Sequence, residues 1–63
     1  MPTDVALERP GTREVRTETV RESPEDVAGA LRGAPGGRVV LTGLDGEPIE
    51  VERRLVMWYR AAA

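Results

Sequence analysis

The chain contains no cysteine, histidine, lysine or phenylalanine, and its aromatic fraction is only 3%. Without cysteine it can form neither a disulfide nor a thiolate metal site. Without histidine, and with Ser23 as its only serine, it lacks the usual nucleophile–base pairs of enzymes and the common transition-metal ligands. Because aromatic side chains are so few, the core must be thin and aliphatic.

A length of 63 residues predicts a single small domain, near the size at which one core is only marginally stable. Disulfides and thiolate metal sites cannot make up the deficit here, so oligomerisation is the remaining common means of stabilisation. We therefore expect association with a second copy or with another protein, and we expect no cofactor and no bound metal.

Nine arginines stand against eleven acidic residues, for a net charge of −2. This balance argues against binding to nucleic acid or to an anionic membrane through a broad positively charged surface, although a local basic patch is still possible. The first ten residues do not resemble a signal peptide, and no stretch approaches the ~20 apolar residues of a membrane span. We expect a soluble cytoplasmic protein, and the arginine bias is typical of GC-rich bacterial or phage genes.

Residues 1–12 contain two prolines and a glycine without a sustained hydrophobic period, which predicts a flexible N-terminal arm. The alternative is that Val5 and Leu7 dock as a short extended segment on a neighbouring sheet or subunit. Pro10 and Gly11 would then form the turn that follows it.

In residues 13–22, Thr and Val alternate with charged side chains, which predicts an edge strand with one solvent-exposed face. Alternating Arg and Glu on such a strand reduce edge-to-edge aggregation. A charged recognition edge is the functional alternative for this segment.

Residues 23–34 carry the clearest helix pattern in the chain. Ser23 is placed to cap the helix by accepting a hydrogen bond from the amide of Asp26, and Pro24 suits the first helical position. An apolar stripe at helical spacing follows, and Gly33 and then a proline end the helix. The stripe consists of Val27, Ala30, Leu31 and Ala34.

Residues 38–44 and 47–53 flank Asp45-Gly46, a strong pattern for a β-hairpin. A two-residue loop pairs Thr42 with Ile49 and Val40 with Val51, and we favour it because Asp-Gly fits that turn directly. A three-residue loop with Glu47 inside it instead pairs Leu41 with Val51 and Gly43 with Ile49, and it sends Val39 and Leu41 to the core instead of Val40.

Residues 55–59 form a run of five apolar side chains that cannot all face one core. As a strand, the run directs Leu55, Met57 and Tyr59 to one side and Val56 and Trp58 to the other. One set can complete the core, and the other requires the arm, a second copy or another protein to cover it. We predict a protein interface of apolar and aromatic residues with a basic rim. It comprises Leu55, Met57, Trp58, Tyr59, Arg54 and Arg60.

Catalytic chemistry has little support in the sequence. Glu50 and Glu52 lie two residues apart on one strand face, a spacing that suits acid–base work or a divalent cation. An exposed sheet face shows the same spacing for solubility alone, and so short a chain has little room for a concave active site. We expect no catalytic residues and no enzyme activity.

Residues 39–42 (VVLT), followed by residues 46–49 (GEPI), resemble the hairpin of the Phd/YefM antitoxin family. The resemblance implies a dimer that binds operator DNA through its N-terminal domain and neutralises a toxin with its C-terminal segment. The helix here is about a turn shorter than in that family, and the helical tail expected after the hairpin is not seen. Together with residues 20–27 (VRESPEDV), the same stretch also resembles small FlbD-type flagellar proteins.

The sequence thus predicts one α+β domain over residues 13–60, with a tail at 61–63. Its order is β-α-β-β, with one short helix on an antiparallel sheet and a further C-terminal strand. The first functional hypothesis is a non-enzymatic interaction module that acts as a homo-oligomer or an accessory subunit. The second is an antitoxin-like dimeric regulator that contacts DNA phosphates through Arg38, Arg53 and Arg54.

Overall fold

A computed structural model describes the whole chain apart from the side chain of Pro35. It is an α+β fold of five strands, one α-helix and two 3₁₀ turns. The elements are β1 (Thr3–Glu8), β2 (Val15–Val20), α1 (Pro24–Arg32), a 3₁₀ turn (Pro35–Gly37), β3 (Arg38–Thr42), β4 (Pro48–Glu52), a second 3₁₀ turn (Arg53–Leu55) and β5 (Val56–Ala61). The strands form two antiparallel sheets, one of order β2-β1-β5 and the other the β3-β4 hairpin.

The N-terminal segment differs from the flexible arm expected for residues 1–12, because it contains the central strand of the larger sheet. β1 pairs with β2 on one side and with β5 on the other. Val5, Ala6 and Leu7 are buried, and Val5 and Leu7 join the hydrophobic core. An alternation of two apolar residues is a weak pattern by itself, and two long-range pairings make it a strand.

The edge strand predicted in residues 13–22 is present as β2, and its partner is β1. Gly11, with a φ of 77°, lies in the turn between them, which the amide of Arg9 closes by donating to the carbonyl of Glu14 at 2.9 Å. Only Val20 of β2 is fully buried, so the strand exposes most of its charged side chains, as the alternation predicts.

The predicted helix is confirmed together with both of its ends. The hydroxyl of Ser23 accepts from the amide of Asp26 at 3.1 Å, and the amide of Gly33 donates to the carbonyl of Gly29 at 3.0 Å. Val27 and Leu31 are buried in the core, and two alanines of the stripe pack against it. No helix among the described residues is long and apolar enough to cross a membrane.

The hairpin forms, but the two-residue loop favoured above is wrong. Val39 pairs with Val51 and Leu41 with Ile49, so neither register considered above is the one observed. The carbonyl of Gly43 accepts from the amide of Gly46 at 2.9 Å, and Gly46 has a φ of 89°. A three-residue loop of residues 44–46, in which only Gly46 has a positive φ, therefore forms in place of the type I′ turn. A type I′ turn would also force Asp45 to a positive φ.

This register decides which residues of the hairpin are buried. Val39 and Leu41 face the core and Val40 faces solvent, which is the consequence expected of the slipped register rather than of the favoured one. Val39, Leu41, Ile49 and Val51 then share one face, whereas the favoured register would bury Val40 in place of Val39 and Leu41. Pairing all four apolar side chains on one side removes more apolar surface from water.

The two sheets are joined where β2 leaves the larger sheet. Val20 forms an isolated bridge with Gly43, and the amide of Arg21 donates to the carbonyl of Thr42 at 2.7 Å. The carboxylate of Glu22 accepts from the amide of Thr42 at 2.9 Å and 3.0 Å. Partial burial alone would raise the pKa of Glu22, but these hydrogen bonds favour the charged form and lower its pKa below the ordinary 4.5.

Candidate interaction site

β5 begins directly after a 3₁₀ turn that carries the chain from the small sheet to the large one. The guanidinium of Arg53 donates to the carbonyl of Leu31 at 3.2 Å and so ties the turn to the last turn of α1. β5 then runs antiparallel to β1, and the amide of Ala62 donates to the carbonyl of Pro2 at 2.9 Å. The turn thereby places the aromatic residues at the edge of the large sheet.

A β-bulge divides the side chains of β5 between the two faces of that sheet. Ala6 pairs with Trp58 and Leu7 with Val56, which leaves Met57 as the extra residue. We call the face that carries Val5 and Leu7 the inner face, because it contacts the hydrophobic core, and the opposite face the outer face. Val56 and Tyr59 therefore lie on the inner face, while Trp58 and Arg60 lie on the outer face.

β5 exposes large apolar side chains on both faces of the sheet, and Trp58 is the aromatic residue on the outer face. The exposed fractions are 53% for Met57, 41% for Trp58 and 37% for Tyr59, although each belongs to a strand. The guanidinium carbon of Arg60 lies 4.7 Å from the centroid of the indole ring of Trp58. Such a cation–π contact at an exposed site favours this orientation of the indole by about 0.5–1 kcal/mol.

Ala6 is a fully buried residue of β1 that lies opposite Trp58 across the two strands. It has no exposed surface, although it is the residue of β1 between the two core residues Val5 and Leu7 and lies outside the core cluster. Its cross-strand neighbours on the outer face are Thr17 and Trp58. We infer that these cross-strand neighbours shield Ala6, and the indole of Trp58 is the larger of the two side chains.

β5 also has an unpaired edge. The bond between Ala62 and Pro2 places their pair among the hydrogen-bonded ones, and bonded and non-bonded pairs alternate along an antiparallel ladder. Arg60 and Trp58 therefore bond to β1, whereas Tyr59 and Ala61 direct their backbone N–H and C=O groups away from it. Among the described residues, no strand occupies that side of β5.

The predicted interface residues are therefore only partly brought together. Met57, Trp58, Tyr59 and Arg60 lie on β5 as expected. Arg54 instead forms an ion pair with Glu52 at 2.8 Å in the preceding turn. Leu55 is half-buried in the same turn and lines a separate groove.

That groove has a volume of about 420 Å³ and lies between the end of the β1–β2 hairpin and β4. Leu7 and Val51 form its buried floor, and charged side chains surround it. These are Glu8, Arg9, Glu14, Arg16, Glu50 and Glu52. Sequence reasoning missed the groove, because it brings together a segment expected to be flexible and the second strand of the hairpin.

The three arginines proposed as phosphate contacts do lie together. Arg38, Arg53 and Arg54 surround an open groove of about 500 Å³ beside Gly36 and Gly37. Arg38 forms an ion pair with Glu50 at 3.3 Å, and the other two have the partners described above. The groove is thus basic, but each of its guanidinium groups already has an oxygen partner within the chain.

The carboxylates considered for acid–base or metal chemistry each form an ion pair with a different arginine. Glu50 pairs with Arg38 and Glu52 with Arg54. Among the described residues, no group of three or more acidic side chains is arranged to hold a metal ion.

Comparison with protein-family models, with curated proteins and with solved structures finds no match to this chain. The resemblances to antitoxins and to flagellar proteins therefore stay predictions.

Proposed function

We propose that this protein is a small interaction module without enzyme activity of its own, which binds a protein chain through β5 as a homo-oligomer or as an accessory subunit. The observation that carries the proposal is the combination of an unpaired strand edge with exposed aromatic side chains on the same six residues. An exposed apolar edge strand is a template for pairing with another chain.

The strand at the opposite edge of the sheet, β2, has features that oppose pairing with another chain. β2 alternates charged and small polar residues, and its end is covered by the bridge between Val20 and Gly43. β5 carries a single charge, Arg60, and that guanidinium lies over Trp58. The two edges of one sheet therefore have opposite surface chemistry, which supports binding at β5 in particular.

The side chains of β5 belong to the types that dominate binding energy. Trp, Tyr and Arg are enriched among residues whose truncation costs 2 kcal/mol or more of binding free energy. Because the contact with Arg60 favours one orientation of the Trp58 indole, we expect less side-chain entropy to be lost when a partner covers it. We assign Trp58 and Tyr59 as the anchors, with Met57 and Arg60 beside them.

The proposal is tested by sedimentation equilibrium of the intact chain beside two variants. Trp58→Ala removes the main anchor, and Leu44→Ala removes a comparably exposed apolar residue in the hairpin loop. We expect the intact chain and Leu44→Ala to sediment above the 6.9 kDa monomer mass, and Trp58→Ala to return toward it.

If the intact chain sediments as a monomer, a second measurement is needed. The chain is immobilised, and the proteins that it retains from an extract of the cells that encode it are identified. Immobilised intact chain should then retain a protein that immobilised Trp58→Ala does not, while Leu44→Ala should retain it equally. A monomer that retains nothing more than Trp58→Ala would overturn the proposed function.

A DNA-binding regulator is the second candidate, and the grouping of Arg38, Arg53 and Arg54 around one groove favours it. Its weakness is that Glu50 and Glu52 compete with phosphate for two of the three arginines. Binding to duplex DNA should weaken by orders of magnitude between 50 and 200 mM salt if several phosphates are contacted. Binding that is absent at 50 mM salt, or that Arg53→Gln leaves unchanged, excludes this function.

A further inference from the structure

We propose that the partner of β5 is β5 of a second copy, paired antiparallel about a two-fold axis at Tyr59. The two three-stranded sheets would then form one continuous sheet of six strands. This inference rests on the proposed function and names the partner for the same site. It follows from the hydrogen-bonding groups at the edge, the distribution of charge along β5, and the chemistry of the opposite edge.

The backbone groups at the edge match those of an identical strand. Tyr59 directs its N–H and its C=O away from β1, as deduced above from the bond between Ala62 and Pro2. Two copies of Tyr59 facing each other across a two-fold axis exchange both bonds, which is the hydrogen-bonded pair of an antiparallel ladder. A two-fold arrangement is also self-complementary and closes at two copies.

Side-chain charge selects Tyr59 as the centre of the pairing. A register centred on Arg60 would place two guanidinium groups directly opposite each other, which is destabilising. A register centred on Trp58 would require Tyr59 to bond to Met57 of the second copy, and Met57 lies in the β-bulge, where the regular ladder is disrupted. The register centred on Tyr59 places Trp58 of each copy opposite Arg60 of the other, so that each cation has an indole on both sides.

The same register continues a row of complementary groups across the outer face. Thr19 donates its hydroxyl to the carboxylate of Asp4 at 2.6 Å, and Asp4 pairs across the strands with Arg60. In the joined sheet, Arg60 lies between Asp4 of its own chain and Trp58 of the second copy. Beyond that indole lies Ala6 of the second copy, which is the cross-strand partner of Trp58 within that copy.

The assembly would stop at two copies because of the edges that it leaves free. Both outer strands of the joined sheet would be β2, whose alternating Arg and Glu side chains oppose further addition of strands. The apolar edge is thus covered and the charged edge remains in solvent. This division accounts for the difference between β5 and β2 within one small sheet.

Single-cysteine variants test the register directly, because the chain has no cysteine of its own. In the proposed pairing the two copies of residue 59 lie about 5.5 Å apart at Cα, within the range of a disulfide. Copies of residue 58 are diagonal neighbours about 7–8 Å apart, and the same holds for residue 60. Under mild oxidation, we expect Tyr59→Cys to form a linked dimer at least tenfold faster than Trp58→Cys, Arg60→Cys or the exposed control Thr17→Cys.

Amide hydrogen exchange on the unsubstituted chain provides a second readout that does not depend on a variant assembling. The amide of Tyr59 should become at least tenfold more protected as protein concentration rises through the dimerisation range. The amide of Thr17, which the same alternation directs away from β1 at the opposite edge of the sheet, should keep the same protection at every concentration.

The outcomes separate this inference from the proposed function. Self-association without concentration-dependent protection of Tyr59, or with fastest crosslinking of Trp58→Cys or Arg60→Cys, overturns the pairing at Tyr59 but leaves binding through β5 intact. A monomer at every concentration overturns the second copy as partner, and the retention experiment then decides the proposed function alone. Fast crosslinking of Tyr59→Cys together with protection of its amide supports both.

Discussion

Arg60 lies over the indole ring of Trp58, with 4.7 Å between the guanidinium carbon and the ring centroid, on a sheet face that no other described element covers. The two residues are separated by one position, so β5 itself brings them to the same face. The contact favours one orientation of an exposed tryptophan without burying it. An edge strand thereby presents a preformed aromatic surface.

Loss of the cation should release the indole. Arg60→Gln removes a contact of about 0.5–1 kcal/mol, the scale of an exposed cation–π pair. We expect a lower fluorescence anisotropy of Trp58 in the isolated chain and stronger quenching by acrylamide. Arg13→Gln changes the charge equally at an exposed position outside the strands and should leave both quantities unchanged. Equal behaviour of the two variants would show that Arg60 does not order the ring.

The hairpin register predicts very different losses of folding stability on truncation of two neighbouring residues. Leu41 is 1% exposed and Val40 is 65% exposed. Leu41→Ala should lower the free energy of unfolding by about 2–5 kcal/mol, because it leaves a cavity in a small core. Val40→Ala should change it by less than about 0.5 kcal/mol, as at other surface positions. Urea denaturation of both variants measures this, and a larger loss for Val40→Ala would support the two-residue loop instead.

Two glycines should respond in opposite directions to the same substitution. Gly46 has a φ of 89°, so Gly46→Ala forces an alanine into the left-handed region and should destabilise the chain by about 1 kcal/mol or more. Gly29 lies in α1, where an added Cβ would come no closer than 4.0 Å to the guanidinium of Arg32. Gly29→Ala should therefore stabilise the chain by about 1 kcal/mol. Thermal unfolding midpoints that move in the same direction would contradict this.

The cap of α1 should be replaceable only by another side-chain acceptor. Ser23→Ala leaves the amide of Asp26 without its partner and should lower the free energy of unfolding by about 1 kcal/mol. Ser23→Asp keeps an acceptor at the same position and should recover most of the loss. Circular dichroism during thermal unfolding compares the three chains, and an uncapped Ser23→Ala as stable as the intact chain would show that the cap contributes nothing.

Stability should fall in acid because of Glu22. Partial burial alone would raise its pKa, but the hydrogen bonds from Thr42 prevail, so the pKa is lower in the folded chain than its ordinary 4.5. The carboxylate therefore stabilises the fold above pH 4.5, and this contribution is lost as the pH falls through the folded-state pKa. The free energy of unfolding of the intact chain should decline below pH 4.5.

Glu22→Gln isolates this contribution. The variant should be about 1 kcal/mol less stable at neutral pH, on the usual scale of one hydrogen bond, and should lose less stability than the intact chain below pH 4.5. Glu47→Gln, at an exposed position in the hairpin loop, should follow the intact chain throughout. If Glu22→Gln also follows it, the joint between the two sheets does not depend on this carboxylate.

The helix and the hairpin could be predicted because their determinants are local. Ser23, Pro24 and Gly33 act on backbone groups within four residues of themselves, and the stripe of Val27 and Leu31 repeats once per turn. A tight turn at Asp45-Gly46 follows in the same way from the φ that glycine permits. In these segments, information within one turn of the chain is sufficient to determine the conformation.

What the sequence by itself determined is therefore α1, the existence of the hairpin, the edge character of β2 and an apolar C-terminal strand. Only the tertiary structure decided that Val5 and Leu7 lie in a central strand, that Leu41 rather than Val40 is buried, and that Val56 shares a face with Tyr59 rather than with Trp58. Each of these depends on pairing between segments distant along the chain, and shifting such a pairing by one residue turns every side chain to the other face. Local preferences do not resolve a shift of that kind, whereas the total apolar surface removed from water does.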